Sequence, residues 1–475
     1  MNVAGKAGSR FVGTGAISLR VQHVAVATFL LFCVVGGGTS RNDALSQPFI
    51  WIAAIFCIMA SIYVATTSDL ARIKVPLIFT GLCAILAGVH LLPLPPVMWT
   101  ALPGRELYAQ LSATAGIDPP WRPLSVVPDF TWSSLLSLLP VSAVILAYAT
   151  TTKPVRGLFP AGLLCVCVGS AILALAQLGS GDGGMLRHYK IANQNFAIGL
   201  FANRNHQAVL LALAIPLVVI VSRLSSHKRI SKNALWISLS VILFLVPMIL
   251  VTGARIGLVL GAYALIVAAF LARTPLSARS GPAKQATPSG IRRFVAPIAT
   301  IGIIAFTLLF ARAVAVDRLF AFDADQELRF KLIQPLTRML VEFFPFGSGL
   351  GSFEPVFRQY EPFALLRPGY VNQAHNDLLQ LGIEGGLPAL LLLAALVVWL
   401  VLANVRLWKP VKRYADSRVM LGRYAAAIAP AMLVASLVDY PLRTPLMAII
   451  FVVLLLWVHD ALQNARVTHD NRAPI

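Results

Sequence analysis

Twelve apolar runs recur along the chain, and most approach the roughly 20 residues that a helix needs to cross a bilayer. None of their cores contains Asp, Glu, Lys or Arg. Lipid cannot hydrogen-bond to exposed backbone amides, so each run is predicted to form a helix. The predicted cores are Val21–Val35, Phe49–Ala65, Val75–Leu92, Trp132–Ala149, Gly157–Leu178, Asn205–Val221, Ala234–Val251, Ile256–Leu271, Phe294–Phe310, Gly386–Val405, Tyr424–Val438 and Leu446–Val458.

The composition agrees with this pattern. Hydrophobic residues make up 58% of the 475 positions and charged residues only 12%, whereas soluble domains average roughly 45–50% apolar and about 25% charged. A cytosolic or secreted globular protein is therefore excluded. The predicted fold class is an all-α polytopic membrane protein with about twelve transmembrane helices.

The formal charge of +20 comes from 39 Lys and Arg against 19 Asp and Glu. With the N-terminus inside, twelve helices place the whole positive excess in the loops of one side, as the positive-inside rule expects. Both termini are then predicted to be cytoplasmic. The positive charge is interpreted as a signal of membrane topology. Membrane lipids are the expected partners, and no nucleic-acid partner is expected.

The cytoplasmic loops are short and carry neither a P-loop nor a dinucleotide-binding fingerprint, which disfavours an ATP-driven pump.

The loop at 311–385 on the outer side is far longer than the others, and such loops are usually functional. Its apolar residues at helical spacing predict an amphipathic helix at the membrane surface, kinked by Pro335. Trp99, on the same side, is predicted to be an interface anchor. The apolar residues of the loop helix are Leu328, Leu332, Leu336, Met339, Leu340 and Phe343.

Arg255 lies in a tight turn between two apolar runs, with no acid near it in sequence. A cation at that depth is costly and should have an anionic partner. The partner is either a protein carboxylate such as Asp439 or a phosphate on a lipid substrate.

Several short motifs, in this order on the outer side, resemble the O-antigen ligase and O-antigen polymerase family of membrane glycosyltransferases. The resemblance covers roughly residues 190–445. One departure is that Lys331, Leu332 and Ile333 follow Arg329, where the family usually has an aromatic residue. The motifs are Phe201-Ala202-Asn203-Arg204-Asn205-His206, Thr252–Gly257, Arg329, the glycine run Phe346–Phe353, His375-Asn376 with Glu384-Gly385, and Asp439-Tyr440-Pro441-Leu442-Arg443.

The resemblance implies a GT-C-like fold and transfer of a glycan from an undecaprenyl-pyrophosphate carrier. The acceptor is a sugar hydroxyl, either on lipid A–core in a ligase or on another carrier-linked glycan in an O-antigen or exopolysaccharide polymerase. It further implies a metal-independent, inverting reaction without a cofactor, at the periplasmic face of a bacterial inner membrane. No carboxylate pair on the outer side stands out as a metal site.

The residue types suit that chemistry. Guanidinium groups bind phosphate in a bidentate manner and stay charged, so Arg255 and Arg329 are predicted to stabilise the departing pyrophosphate, with Arg204 a weaker third. A neutral imidazole can accept the proton of the attacking hydroxyl, and His375 is the candidate base. The predicted substrate-binding residues are Asn203, Arg204, His206, Asn376, Glu384, Asp439 and Arg443.

Purely structural roles remain open for these residues. His375 can instead cap the short helix that follows it. Glu384 can either hold His375 or begin a helix as a favourable N-terminal anion. Asp439 and Arg443 can pair with each other. Further structural alternatives are a lipid-headgroup contact for Arg329, loop orientation for His206 and a plain turn, rather than an anion-binding nest, for the glycine run.

The sequence predicts three regions: residues 1–185 with the first five helices, a catalytic region 186–460 that includes loop 311–385, and a cytoplasmic tail 461–475. Two other function classes fit the sequence less well. A flippase or other transporter usually has polar groups near the bilayer midplane, and here the helix cores lack charge. A structural membrane protein leaves Arg255 unexplained.

Overall fold

A computed structural model of the chain describes residues 7–179, 186–189, 191–193, 196–224, 232–274, 324–366, 370–409 and 417–470. The protein is an all-α polytopic membrane protein, and this part of the chain contains eleven helices long and apolar enough to cross a membrane. They correspond to eleven of the twelve predicted runs. The remaining prediction, Phe294–Phe310, lies outside the described residues, as does the start of the long loop.

The described chain is built almost entirely from helices. In order they are α1 (Ala7–Gly36), α2 (Ser46–Val64), α3 (Thr67–Arg72), α4 (Lys74–Leu91), α5 (Pro96–Trp99), α6 (Glu106–Thr114), α7 (Pro128–Leu136), α8 (Leu138–Thr150), α9 (Lys153–Arg156), α10 (Phe159–Gly179), α11 (Arg204–Leu224), α12 (Lys232–Val251), α13 (Arg255–Arg273), α14 (Ala324–Phe343), α15 (Phe353–Phe357), α16 (Asp377–Trp408), α17 (Ser417–Ala435) and α18 (Pro445–Asp470). Two 3-10 turns, Phe363–Leu365 and Pro441–Arg443, and one antiparallel strand pair, β1 (Pro93–Leu94) with β2 (Arg122–Pro123), complete it.

Helix α16 begins nine residues before the predicted span, at Asp377 rather than Gly386. Gly386 has a backbone φ of 60° and ψ of −155°, so α16 consists of two helical parts joined at a kink. The hydropathy pattern identified the apolar part only. The short part before Gly386 is not in the predicted span because it carries Asp377, Gln380 and Glu384; a short helix there entered only as the alternative in which His375 caps it.

Two compact units divide the chain, and each is made of separate stretches. The first comprises Met1–Lys153, Asp323–Leu396 and Ser436–Val452. The second comprises Pro154–Phe322, Val397–Ala435 and Val453–Ile475. The three regions expected from the sequence stay a prediction.

In the first unit, α14 packs its apolar face against protein. The predicted position of this helix at the membrane surface stays a prediction. The helix continues through Pro335. Its buried residues form one cluster with α15 and the following loop, because the loop supplies enough apolar side chains to cover them. The cluster contains Leu332, Leu336, Met339, Phe343, Phe353, Val356, Phe357, Leu365, Ala374 and Ile383.

In the second unit, α11 lies at the centre, and its side chains are buried from Arg204 to Ile220. The Tyr424 hydroxyl on α17 donates to the Leu213 carbonyl at 3.0 Å. Gly257 on α13 lies so close to α11 that a Cβ there would approach the Ala208 side chain to 2.6 Å. Small residues let these helices approach closely, as is typical of helix packing in membranes.

Candidate functional site

His375 lies immediately before α16 and has an unusual backbone conformation. Its φ is 53°, in the left-handed region that non-glycine residues rarely adopt. The imidazole Nδ1 is 3.1 Å from Asp439 Oδ1, and its ring meets the Tyr440 ring edge-on, with centroids 4.9 Å apart. The His375 side chain is 24% exposed while that of Asp439 is 2% exposed. A buried carboxylate therefore orients a partly exposed imidazole.

The helix cap after His375 is Asn376, whose side-chain oxygen accepts from the Leu379 amide at 3.0 Å. The Asp377 amide donates to the Ser436 carbonyl at 2.7 Å, which ties the start of α16 to the turn that leads to Asp439. The alternative in which His375 itself caps the helix is therefore wrong.

Arg443 joins two carboxylates of α16. Its Nε donates to Asp377 Oδ1 at 2.6 Å, and its Nη1 donates to Glu384 Oε2 at 3.1 Å. Burial lowers the pKa of this guanidinium, but Glu384 and Asp377 outweigh that effect and raise the pKa above its ordinary value. Arg443 thus pairs with Asp377 and Glu384 among the described residues, and the expected pair with Asp439 is wrong.

Glu384 is almost fully buried, with 2% of the residue exposed. Besides Arg443, its carboxylate accepts from the Gln380 side chain at 3.0 Å and from the Phe353 amide at 3.2 Å. Gln380 also accepts from the Ala374 amide at 2.8 Å, next to His375. Glu384 therefore does not hold His375 directly within the described structure, and the link between them runs through Gln380 and the backbone.

The glycine run packs against the same stretch of α16. The Ser348 amide donates to the Ile383 carbonyl at 2.8 Å, and the Gly349 amide donates to the Glu384 carbonyl at 2.9 Å. Gly347 has a φ of 83°, and a Cβ there would lie 2.4 Å from the Glu384 carbonyl oxygen. Because these amides are already bonded to protein carbonyls, the run acts as a packing turn rather than an anion-binding nest.

Other predicted residues lie in the second unit. Asn203 accepts from the Asn205 amide at 2.8 Å. The Arg204 guanidinium stacks on the Phe196 ring at 4.0 Å from its centroid. His206 is buried and meets the Phe201 ring edge-on, with centroids 6.0 Å apart. Arg204 and His206 are thus buried within the second unit, and the predicted part of this motif in substrate binding stays a prediction.

Arg255 is the first residue of α13 and is exposed, so it lies at the end of a helix rather than deep between two apolar runs. Arg329 belongs to α14, but its side chain lies outside the described part of the structure. The roles expected for these two arginines stay predictions.

Sequence reasoning missed Asp377 and Gln380. A signal for them was present, because Asp377, Gln380 and Glu384 are three and then four residues apart and so share one face of a helix. It was overlooked because the span was predicted to begin only at Gly386.

The arrangement can hold an imidazole in one orientation beside a rigid support in which Arg443 pairs with Asp377 and Glu384. Among the described residues, no group of three or more His, Cys, Asp or Glu side chains is placed to hold a metal ion. Asp439 can stabilise an imidazolium that forms when His375 takes up a proton.

Comparison with known families agrees with the resemblance. Residues 239–394 match the family model described as O-antigen ligase. The match includes Arg255, Arg329, His375, Asn376 and Glu384. No curated protein matches the chain.

Proposed function

We propose a specific reaction for this protein. The match of residues 239–394 to the O-antigen ligase family model supports a membrane glycosyltransferase of the ligase or polymerase type. The chain transfers a glycan from undecaprenyl pyrophosphate to a sugar hydroxyl of lipid A–core. A polymerase that extends a carrier-linked glycan is the alternative within the same family. The active site lies at the periplasmic face of the inner membrane.

The reaction forms one bond and breaks another at the anomeric carbon of the donor sugar. The acceptor oxygen attacks from the side opposite the leaving group and inverts the configuration. The bond to pyrophosphate breaks, and its electron pair leaves with the pyrophosphate. The hydroxyl proton passes to His375 Nε2, and no metal or cofactor is required in this scheme.

The observation that carries the proposal is the pairing of His375 with Asp439. With Nδ1 facing a buried carboxylate, the proton on the neutral ring is expected on Nδ1, which leaves Nε2 as the basic atom. Nε2 makes no hydrogen bond with any described residue, and the side chain is partly exposed. The imidazole is thus able to receive a proton from a substrate.

In this scheme, Arg255 and Arg329 neutralise the charge that builds on the pyrophosphate, because guanidinium groups match phosphate geometry. Arg204, Asn203 and His206 contribute to the donor site, and Asn376 contributes to the acceptor site. Arg443 and Glu384 neutralise each other and are proposed to position the start of α16. Asp439 positions His375.

The test is glycan transfer by the purified full-length protein in proteoliposomes, with a lipid-linked glycan donor and lipid A–core. His375→Ala is expected to lower the rate about 10²–10⁴-fold, and added imidazole should restore part of it. His188→Ala, at an exposed histidine outside the site, is the matched control and should keep full activity. Normal transfer by His375→Ala refutes the assignment of the base.

A second experiment separates the two enzyme types. In a strain lacking the gene, loss of every long chain from lipid A–core indicates a ligase, whereas survival of a single repeat unit indicates a polymerase. Reporter fusions after His375 and at both termini test the proposed orientation. A signal that places His375 in the cytoplasm contradicts the proposal.

A further inference from the structure

A small cavity lies in the first unit, in the segment between α4 and α7. Its volume is about 110 Å³, enough for several water molecules. The lining contains two arginines and no acid. The lining residues are Trp99, Arg105, Tyr108, Arg122, Pro123, Ser125, Val126 and Pro128.

Arg105 is a buried cation whose hydrogen bonds, among the described residues, all go to backbone carbonyls, and its guanidinium lies 5.3 Å from the centroid of the Phe343 ring. The residue is 3% exposed, and its guanidinium donates to the carbonyls of Pro103 at 3.2 Å, Leu124 at 2.6 Å and Gly347 at 3.0 Å. These bonds occupy three of its five N–H donors. Carbonyl groups are dipoles and carry no net charge, so its positive charge lacks an ionic partner among the described residues.

The electrostatics of Arg105 agree with this geometry. Burial lowers its pKa to about 10, although Tyr108 and Glu106 oppose the shift. Glu106 is exposed and forms no ion pair with Arg105 in the described structure. The folded protein therefore holds a charge that an anion in the cavity would stabilise.

Arg122 is the second cation of the cavity and is held in place by its surroundings. Its backbone lies on β2, opposite Leu94 of β1, and its guanidinium stacks on the Trp99 ring at 5.4 Å from the centroid. Its Nε is buried without a hydrogen-bond partner among the described residues. A buried N–H without a partner is costly and is usually satisfied by a bound group.

Trp99 contributes to this rigidity. It is 1% exposed, and its indole N–H donates to the Pro120 carbonyl at 2.8 Å. The expectation that it anchors the chain at the membrane interface is therefore wrong, because its ring is covered by Arg122. The cavity is thus preformed, with one cation fixed on an aromatic ring and the other fixed by three carbonyls.

We propose that this cavity is an oxyanion site that binds a phosphate group through Arg105 and Arg122. Guanidinium groups form short, charge-assisted hydrogen bonds with phosphate oxygens. The phosphate is carried either by a membrane lipid headgroup or by a free phosphorylated molecule. The site is separate from His375, and its occupation does not depend on the transfer reaction.

The test measures binding rather than transfer. The full-length protein is placed in phosphatidylcholine nanodiscs and titrated calorimetrically with inorganic phosphate, with the ionic strength held constant by KCl. Arg122→Gln removes the cation that makes no hydrogen bond to a carbonyl within the described part of the chain, and it should weaken phosphate binding at least about tenfold. Arg122→Lys, which keeps the charge without the planar fork, should bind with intermediate affinity. It also serves as the variant to measure if Arg122→Gln does not fold.

Arg338→Gln is the matched control, because Arg338 is exposed on α14 and does not line this cavity. It should bind phosphate as the unchanged protein does. Adding phosphatidylglycerol to the nanodiscs identifies the source. Loss of phosphate binding points to the lipid headgroup, and unchanged binding points to a free molecule.

Two results overturn the proposal. One is equal phosphate affinity in the unchanged protein and both Arg122 variants. The other is a combination of two observations. The protein does not bind phosphate in phosphatidylcholine nanodiscs, and neither Arg122→Gln nor Arg122→Lys changes the amount of phosphatidylglycerol that the protein retains in native mass spectrometry.

Discussion

His375 Nδ1 lies 3.1 Å from Asp439 Oδ1, although 64 positions separate the two residues in the chain. The carboxylate is buried, and its Oδ1 also accepts from the Tyr440 amide at 3.0 Å. Asp439 is therefore held by its own backbone and cannot readily follow His375 if the imidazole moves. This rigid contact leads to the first prediction.

Asp439→Asn should lower the turnover rate about 10²-fold or more, because an amide neither stabilises an imidazolium nor selects the Nδ1–H tautomer. The KM values for both substrates should change little, since Asp439 acts through His375. Asp439→Glu, which keeps the charge, should recover part of the rate. The measurement is steady-state transfer in proteoliposomes. A changed KM with an unchanged turnover rate would show that Asp439 binds substrate instead.

The backbone of His375 supports a prediction about stability. A left-handed conformation costs an L-residue roughly 1–2 kcal/mol, whereas glycine adopts it freely. His375→Gly should therefore unfold at a higher temperature than His375→Ala, with a difference of about 1 kcal/mol, and both variants should be inactive. Thermal unfolding in detergent compares them. A lower melting temperature for the glycine variant contradicts the strained conformation.

Arg443 supports a prediction about charge balance. Arg443→Ala leaves Glu384 buried without its cation, which should destabilise the first unit by about 3 kcal/mol. Arg443→Leu combined with Asp377→Asn and Glu384→Gln should recover much of that loss, because no uncompensated charge remains.

Arg358→Ala is the control for this experiment. Arg358 pairs with Glu354 four residues away in an exposed setting, and such pairs contribute only about 0.3–0.5 kcal/mol. The melting temperatures of the variants in detergent provide the measurement. Similar losses for Arg443→Ala and Arg358→Ala would show that the Arg443 network is not structural.

Gly386 supports a prediction about the kink in α16. A Cβ at this position would lie 2.1 Å from the Pro345 carbonyl oxygen, in a backbone that already has a positive φ. Gly386→Ala should thus destabilise the protein by more than about 1–2 kcal/mol and reduce activity by displacing the start of α16. Gly88→Ala is the control, since nothing lies within 4 Å of a Cβ there, and its stability should rise slightly or stay unchanged. Equal behaviour of the two variants would argue against the close approach at Gly386.

Met339 supports a prediction about the long loop. It is fully buried in the α14 cluster, while Val341 on the same helix is 72% exposed. Met339→Ala should cost about 2–5 kcal/mol through the cavity it leaves, and Val341→Ala should cost little. Hydrogen exchange of the peptides from 324 to 365 should show increased opening in the first variant alone. Equal exchange in both variants would mean that α14 does not depend on this core.

Sequence reasoning recovered the transmembrane helices well because the signal is local. About 20 apolar residues without charge predict a span wherever they occur, and the predicted cores agree with the described helices within a few residues in most cases. The main departures are the start of α1, the end of α18 and the start of α16. In α16 the chain remains helical through the polar residues before Gly386. Length and hydropathy cannot reveal a helix whose buried face is polar and whose partners lie elsewhere in the chain.

The sequence by itself determined that the chain spans a membrane, and it identified His375, Asp439, Glu384 and Arg443 as residues of interest. Tertiary structure alone decided how they pair: Asp439 with His375, and Arg443 with Asp377 and Glu384. The physical reason is that the pairing of charges depends on distances between atoms in space. Those distances follow from how the Asp439–Arg443 turn packs against the start of α16, and spacing along the chain does not contain that information.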